Sequence, residues 1–431
     1  MNEAGALLVI GSGLKYYREY LVTSIHRKAR AAGLRLVLLN NLKPTWQLAY
    51  FDEIVVADVF DPAVMVSAAT EIAARERVVG LMCWDEPLVL TAGELAAEFG
   101  VPGLGSAGVH ACRDKHRTRS LLTAAGLPQP GFAMTDDRVV ARAAAERIGF
   151  PVVVKPRALG ASIGVVRADD LATFDAAFDV ALSAAKVDTG VYGAEVLVEG
   201  YADGPEISVD GAVHKGEYVP LFLARKHLGD APYFEEVAHV VDADDPLLAD
   251  QTLACTLSRA HAALGIEDGI THTEVKLTSQ GPVVIEVNGR VGGDLIPLLG
   301  RISTGIDTGE VLFDVATGTR PEVALSRHAV AGIRFGLPEH DCRVRTVMVP
   351  NAAPGLVAAA PMVDPDTTLR LPPGGYLARH SFVICEADDP RACLDHLTEA
   401  AALVEVVADP IDPPRGGAGF EMPAGLLDTD A

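Results

Sequence analysis

No stretch of this 431-residue sequence approaches the roughly 20 consecutive apolar residues that a membrane-spanning helix needs. No charged-apolar-small leader stands at its start. The expectation is a cytoplasmic protein with no membrane role. Basic residues are also scarce: 36 Lys and Arg against 58 Asp and Glu leave a net charge of −22. Nucleic acid or an anionic membrane surface would require a basic face, so neither is an expected partner. A local cationic pocket is still compatible with that balance. The six cysteines (Cys83, Cys112, Cys255, Cys342, Cys385, Cys393) form no CxxC pair and no zinc spacing, and read as reduced thiols. No internal repeat is visible.

What is present describes a globular chain. Apolar residues make up 49% with charges interspersed, and the length suggests roughly two to four domains. Residues 6–10, ALLVI, fit a buried parallel strand opening into Gly11-Ser-Gly13, followed by a helix over 16–32 and a second strand, LRLVLLNN. A dinucleotide fingerprint is missing two of its parts: Tyr16 stands where the third glycine belongs, and Asn40 and Asn41 replace the acidic ribose ligand. Further alternation to Gly105 gives a doubly wound α/β domain over residues 1–110. Asp85 and Glu86 close one of its strands, where ligands of open α/β sheets bind; a helix N-cap is the alternative for Asp85.

From Arg113 to Arg117 a basic cluster begins a helix with Leu121 and Leu122 facing inward. The helix dipole disfavours cations there, so either an anion sits nearby or the cluster is a solvated face. Val152 to Lys155 reads as a buried strand that Pro156 stops. The small-residue loop Gly160 to Gly164 then makes a hairpin whose backbone amides can close over phosphates, without the GxxxxGK[ST] spacing of the common nucleotide loop. The strand AEVLVEG, the turn Tyr201 to Pro205 and the strand from Glu206 offer main-chain groups and a carboxylate suited to adenosine. Arg225, Lys226, His227 and His239 lie in a less regular stretch with no assigned role.

After a helix over 247–264 come two acidic strands. One carries His272 and Glu274; the other, VVIEVNGRVGGD, delivers Glu286, Asn288 and Arg290 in alternation, so that they share a face. Hard oxygen ligands beside cations suit Mg²⁺ and a polyphosphate; two polar strands of an ordinary sheet are the alternative. Residues 321–408 switch to strands and turns with one helix over 390–403, a small α+β subdomain. From 409 to 431 the composition is that of a flexible tail.

Taken in order, Asp114-Lys115, Val153-Val-Lys155-Pro156, Gly160-Ala-Ser-Ile-Gly164, Glu199-GYADGP-Glu206, Glu274 and Glu286-Val-Asn288-Gly-Arg290 resemble the ATP-grasp superfamily of carboxylate-amine ligases. The resemblance implies an ATP-grasp domain over 111–320, with a lid-bearing part at about 150–196 and a metal-bearing part at about 197–320. By the same resemblance, Lys115 and Lys155 contact the ATP phosphates, and Gly160, Ser162 and Gly164 fold over them. Glu199 faces the adenine amino group, main-chain groups of Tyr201 and Ala202 meet the ring edge, and Glu206 holds the ribose. Glu274, Glu286 and Asn288 hold two Mg²⁺ ions, which Mn²⁺ can replace.

Arg290, Gly292 and Gly293 match the L-amino-acid (dipeptide) ligases most, and Arg290 would hold the carboxylate being activated. Biotin-dependent carboxylases carry a longer basic motif after that arginine, and D-alanine ligases a serine-rich lid; this lid has only Ser162. The implied activity is ATP-dependent joining of a carboxylate, expected to be an amino acid, to an amine, releasing ADP and phosphate. Catalysis would rest on Arg290, Lys155 and Glu274, with Glu274, Asp85 or phosphate as candidate bases. The expected assembly is a homodimer acting on small molecules. The alternatives are a ligase for another acid or amine in specialised metabolism, and a non-catalytic nucleotide-binding protein. The latter would have lost a metal ligand or the lid lysine, and all are present.

Overall fold

The computed structural model describes residues 5–187 and 191–412. The expected tail from 413 onward lies outside the described residues, as do the first four residues. Among the described residues no helix is long and apolar enough to cross a membrane.

Strand Ala6–Ile10 shows why the first sheet reads as an unbroken apolar run. Leu7 and Val9 pack into one core with helix Lys15–Ala32, while Ala6, Leu8 and Ile10 pack into another with helices Pro62–Arg75 and Val89–Phe99. Both faces are buried, as a doubly wound parallel sheet requires. The strand order is Glu53–Val56, Arg35–Asn40, Ala6–Ile10, Val78–Cys83, all parallel. Because Ile10 pairs with Cys83, the Gly11–Gly13 turn and Trp84–Glu86 emerge side by side at the carboxyl edge.

A second, antiparallel sheet is formed by Phe132–Thr135, Val196–Gly200, Val152–Pro156 and Val166–Ala168. Helices Arg138–Ile148 and Leu171–Ala185 cover it with alanines and phenylalanines. The third sheet has eight strands. It begins with Gly281–Asn288, Gly269–Thr278, Glu206–His214, Glu217–Leu228 and Glu236–Asp242, and continues through Val330–Gly336, Ser381–Ala387 and Leu356–Pro361. The strands expected in a separate subdomain from 321 thus extend the same sheet, with helix Pro390–Ala402 packed on them. A small sheet, Thr368–Leu369, Cys342–Met348 and Glu405–Pro410, completes the C-terminal part. The expected tail begins too early at 409, because Asp409 and Pro410 pair with Arg343 and Cys342 and so belong to the ladder.

The N-terminal sheet is fastened to the rest through helix Thr308–Ala316. Ser24 donates to Asp307 at 2.6 Å and Lys28 to Asp314 at 2.5 Å. On the strand side, Gly80 lets the backbone of that helix approach: a Cβ there would lie 2.3 Å from the Ala316 carbonyl and 2.7 Å from Leu7 Cδ1. Overpacking at a rigid contact costs about 1–3 kcal/mol. Gly80→Ala is therefore expected to lower stability by that amount, read as a reduced urea midpoint; an unchanged midpoint would refute the contact.

Candidate active site

Asp114 separates helices Ser106–Arg113 and Lys115–Ala124, and caps the second by accepting from His116 N (3.1 Å) and Arg117 N (3.3 Å). The cap offsets the basic start of the helix. Lys115, Thr118, Arg119 and Leu122 are its buried residues, a stripe at i, i+3, i+4 and i+7. Lys115 Nζ donates to Glu286 Oε1 at 2.9 Å and to the Leu159 carbonyl at 2.5 Å. Arg119, one turn on, was not singled out from sequence, although the helical stripe through Lys115 points to it. Its guanidinium reaches Glu199 Oε2 at 2.9 Å and the Ile285 carbonyl at 2.7 Å.

Glu199 is engaged on both oxygens, by Arg119 and, at 2.5 Å, by Lys155. Burial pushes its carboxyl up, but the two cations outweigh that and hold it at about 2. Lys155 is itself pushed down by burial, against the pull of Glu199. The expected placement of Glu199 against an adenine amino group therefore meets a carboxylate already committed to cations, which fixes Lys155 in place. Tyr201 N likewise donates to the Pro151 carbonyl at 3.0 Å, leaving the Tyr201 carbonyl and the Ala202 main chain for a ring edge.

These residues line a cavity of about 800 Å³ between the two antiparallel sheets. Of the expected nucleotide residues, all but Gly164 line it. Gly164 serves packing instead, since a Cβ there would sit 2.5 Å from Ala184 Cβ. Ala161 and Ser162 adopt left-handed conformations, with φ of 54° and 55°. Ile163 is buried against Ala184 and Tyr376. The loop is thus pinned by one apolar residue while its neighbours border the cavity.

On the opposite wall, Glu274 and Glu286 are direct partners in the ladder, and His272 opposes Asn288. Like charges so placed repel, and each has a cation. Lys115 takes Glu286, and Lys226 Nζ lies 3.1 Å from Glu274. Lys226 also reaches Glu206 and Glu236, each at 2.6 Å, with its side chain only 2% exposed. Burial opposes its charge, yet Glu206, Glu236 and Glu274 raise it well above the usual lysine range. Sequence reading left Lys226 without a role and missed Glu236; the alternation along Glu217–Leu228, which buries Ala224 and Lys226 and exposes His227, was the available signal.

The donor set fits a hard divalent cation. Burial raises the Glu274 carboxyl, and Glu206, Glu286 and Glu236 add to that despite Lys226, so further positive charge is what this wall accommodates. A second group, Glu236, His239 and Asp294, brings ligand atoms within 4.8 Å of one another. Lys226 holds Glu236, and Arg379 binds Asp294 at 2.5 and 2.8 Å. That group is an ion-pair network.

Arg290 lies just past the strand end, donating to Glu86 and, at 2.8 Å, to the Val291 carbonyl. Burial pushes Glu86 up, but Arg290 and Arg113 outweigh it and hold the carboxyl at about 2. Arg290 borders both this cavity and a second one of about 1750 Å³, between the N-terminal sheet and residues 362–379. Gly293 lines the second cavity, whereas Gly292 packs beneath it: a Cβ there would meet His272 Nδ1 at 2.9 Å and Asp210 at 3.0 Å.

A family model described as an ATP-grasp domain matches residues 148–297. The chain is 32% identical over 228 residues to a D-alanine–D-alanine ligase of Stutzerimonas stutzeri (strain A1501), covering 50% of this chain and 68% of that one. It is 30% identical over 242 residues to an alanine–anticapsin ligase of Bacillus subtilis (strain 168), covering 49% of each, so the match spans about half of that relative. Among solved structures, an L-amino acid ligase from Bacillus licheniformis superposes with a TM-score of 0.75 at 21% identity, over 94% of this chain and 99% of that one.

The bond network gives Lys226 a measurable consequence. Lys226→Met releases three carboxylates into mutual repulsion. It is expected to weaken ATP binding in the presence of Mg²⁺ about tenfold, equivalent to about 1.4 kcal/mol. Titration calorimetry giving a wild-type dissociation constant would show that Lys226 does not order this wall.

Proposed function

We propose, from the premise that this chain belongs to the ATP-grasp superfamily of ADP-forming carboxylate-amine ligases, that it joins the carboxylate of one amino acid to the amine of another. The observation that carries this reading is Arg290, a guanidinium shared between a cation-lined nucleotide cavity and a separate, larger cavity. A phosphoryl donor and a carboxylate acceptor need such a junction.

A carboxylate is a poor electrophile, so its oxygen attacks the γ-phosphorus of ATP, the bond to ADP breaks, and an acyl phosphate results. The amine then attacks the acyl carbon; the C–N bond forms, the C–O bond to phosphate breaks, and the amine proton leaves with phosphate. Lys115 and Lys155 would orient the phosphates, the amides of the 160–164 loop would cover them, and Glu206 would meet the ribose. Glu274, Glu286 and Asn288 would hold Mg²⁺, which neutralises charge between crowded phosphate oxygens. Arg290, always charged and able to make two parallel bonds, would receive the carboxylate and then the oxyanion. The loop also shields the acyl phosphate from water. The reading carries with it two Mg²⁺ ions, replaceable by Mn²⁺, a homodimer and the cytoplasm.

Arg290→Ala and Glu286→Gln are each expected to reduce amide formation by about 10²–10³-fold while leaving the circular dichroism spectrum intact. Near-wild-type turnover in either variant would remove the assigned roles. The nucleotide product is expected to be ADP with free phosphate in equal amount; AMP as the stoichiometric product would reject the acyl-phosphate route.

A further inference from the structure

We propose that the carboxylate-donating substrate is a bulky amino acid whose ammonium group is received by Asp85, with its side chain lying along the aromatic wall of Tyr16 and Phe60. This deepens, and rests on, the ligase reading above.

The second cavity is walled by charges whose partners can be followed one by one. Glu86 is held by Arg113 and Arg290. Asp294 accepts from Arg379 at 2.5 and 2.8 Å and pairs with His239 at 3.0 Å. Asp85 differs from both: its nearest cation is Arg18 at 3.8 Å, its side chain is 25% exposed, and among the described residues no hydrogen bond reaches its carboxylate. A half-enclosed carboxylate with one distant partner is costly unless something pairs with it. Burial raises its carboxyl above the usual range, and Arg18 and Arg290 only partly offset that. Beside it, the Trp84 indole nitrogen is buried without a partner.

The chain keeps the space around this carboxylate clear. A Cβ at Gly11 would stand 2.9 Å from Asp85 Oδ2, and one at Gly13 would stand 3.3 Å from Oδ1. The Gly11-Ser-Gly13 turn, which a dinucleotide reading cannot use, thereby acquires a purpose: it leaves the Asp85 oxygens room beside the cavity. Arg290 borders the same cavity and retains donors beyond its two bonds. A zwitterion's two poles therefore find opposite charges, carboxylate at Arg290 and ammonium at Asp85. Pairing also keeps the donor's amine protonated and non-nucleophilic, so it cannot attack the acyl phosphate in place of the second substrate.

The lining points to the side chain. Beyond Asp85 and Arg290 the cavity runs on between the N-terminal sheet and residues 362–379, further than a methyl side chain reaches. Tyr16 and Phe60, both partly exposed, give that stretch an aromatic surface.

The test uses the full chain with ATP, Mg²⁺ and hydroxylamine, which traps acyl phosphates as hydroxamates without needing the natural amine. Three acids are compared: L-phenylalanine, L-alanine, and 3-phenylpropanoate, which is phenylalanine without its amine. Wild type is expected to favour phenylalanine at least roughly tenfold over both in kcat/KM. Asp85→Asn should lower the phenylalanine value at least roughly tenfold and leave 3-phenylpropanoate unchanged, and Asp85→Glu should restore part of the difference. An equal fall for both acids in Asp85→Asn means a structural role and overturns the assignment, as does a wild-type preference for alanine. If the variant does not fold, the wild-type ratio of phenylalanine to 3-phenylpropanoate decides alone, and a ratio near one overturns the proposal. Hydroxamate or ADP formation that ignores Asp85 sinks only this inference; none with any acid sinks the ligase reading too.

Discussion

Two carboxylates that ought to repel, Glu274 and Glu286, face each other across neighbouring strands of a partly buried wall, and the surrounding architecture answers that repulsion. Lys115 arrives from a helix to hold one, and Lys226 arrives from a strand to hold the other. Each neutralising contact commits a further group: Lys226 binds Glu206 and Glu236 as well, and Glu199 takes Lys155 with Arg119. Buried ion pairs contribute little net stability, but removing one member leaves an uncompensated charge. The wall is therefore a set of mutually dependent charges, and polyphosphate with a divalent cation is a chemistry that can exchange partners with it without leaving any charge unpaired.

Much of this was legible in the sequence because two periodicities carry it. The alternation of Glu286, Asn288 and Arg290 and the apolar run of Ala6–Ile10 predicted their faces correctly, and nearly all the residues expected around the nucleotide do border one cavity. Lys226 and Arg119 were hidden for a different reason. A buried lysine or arginine carries no local mark; its burial is set by carboxylates that come together only when the sheet forms. Gly164 and Gly292 were expected to serve a phosphate loop and a substrate site, yet at each another element presses against the glycine. The boundary at 321 was drawn from a change in composition, whereas the ladder from Glu236–Asp242 to Val330–Gly336 runs through it.

The N-terminal sheet takes part in the site without lining the smaller cavity. Its carboxyl edge presents Asp85 and Glu86 to the larger cavity, and Glu86 is bound to Arg290. Residues 362–379 close the same cavity from the far end of the chain, and Tyr376 packs on Ile163 of the 160–164 loop. Three distant segments thus meet around one arginine, which explains why the large core linking the N-terminal helix to the eight-stranded sheet bears on function as well as on stability.

The four strands of the smaller antiparallel sheet all fall within residues 132–200, one uninterrupted stretch. The chain enters that stretch and leaves it at the same point, where Gly200 N donates to the Gly131 carbonyl at 2.9 Å. Mechanically this is a door whose two hinge leaves touch, with a latch on its free side: Arg167 N donates to the Pro232 carbonyl at 3.0 Å, and Arg157 holds Asp114 at 2.7 Å. Displacing such a body as a unit would cost the latch, including the Val166–Tyr233 bridge, while every ladder of its own sheet stays whole.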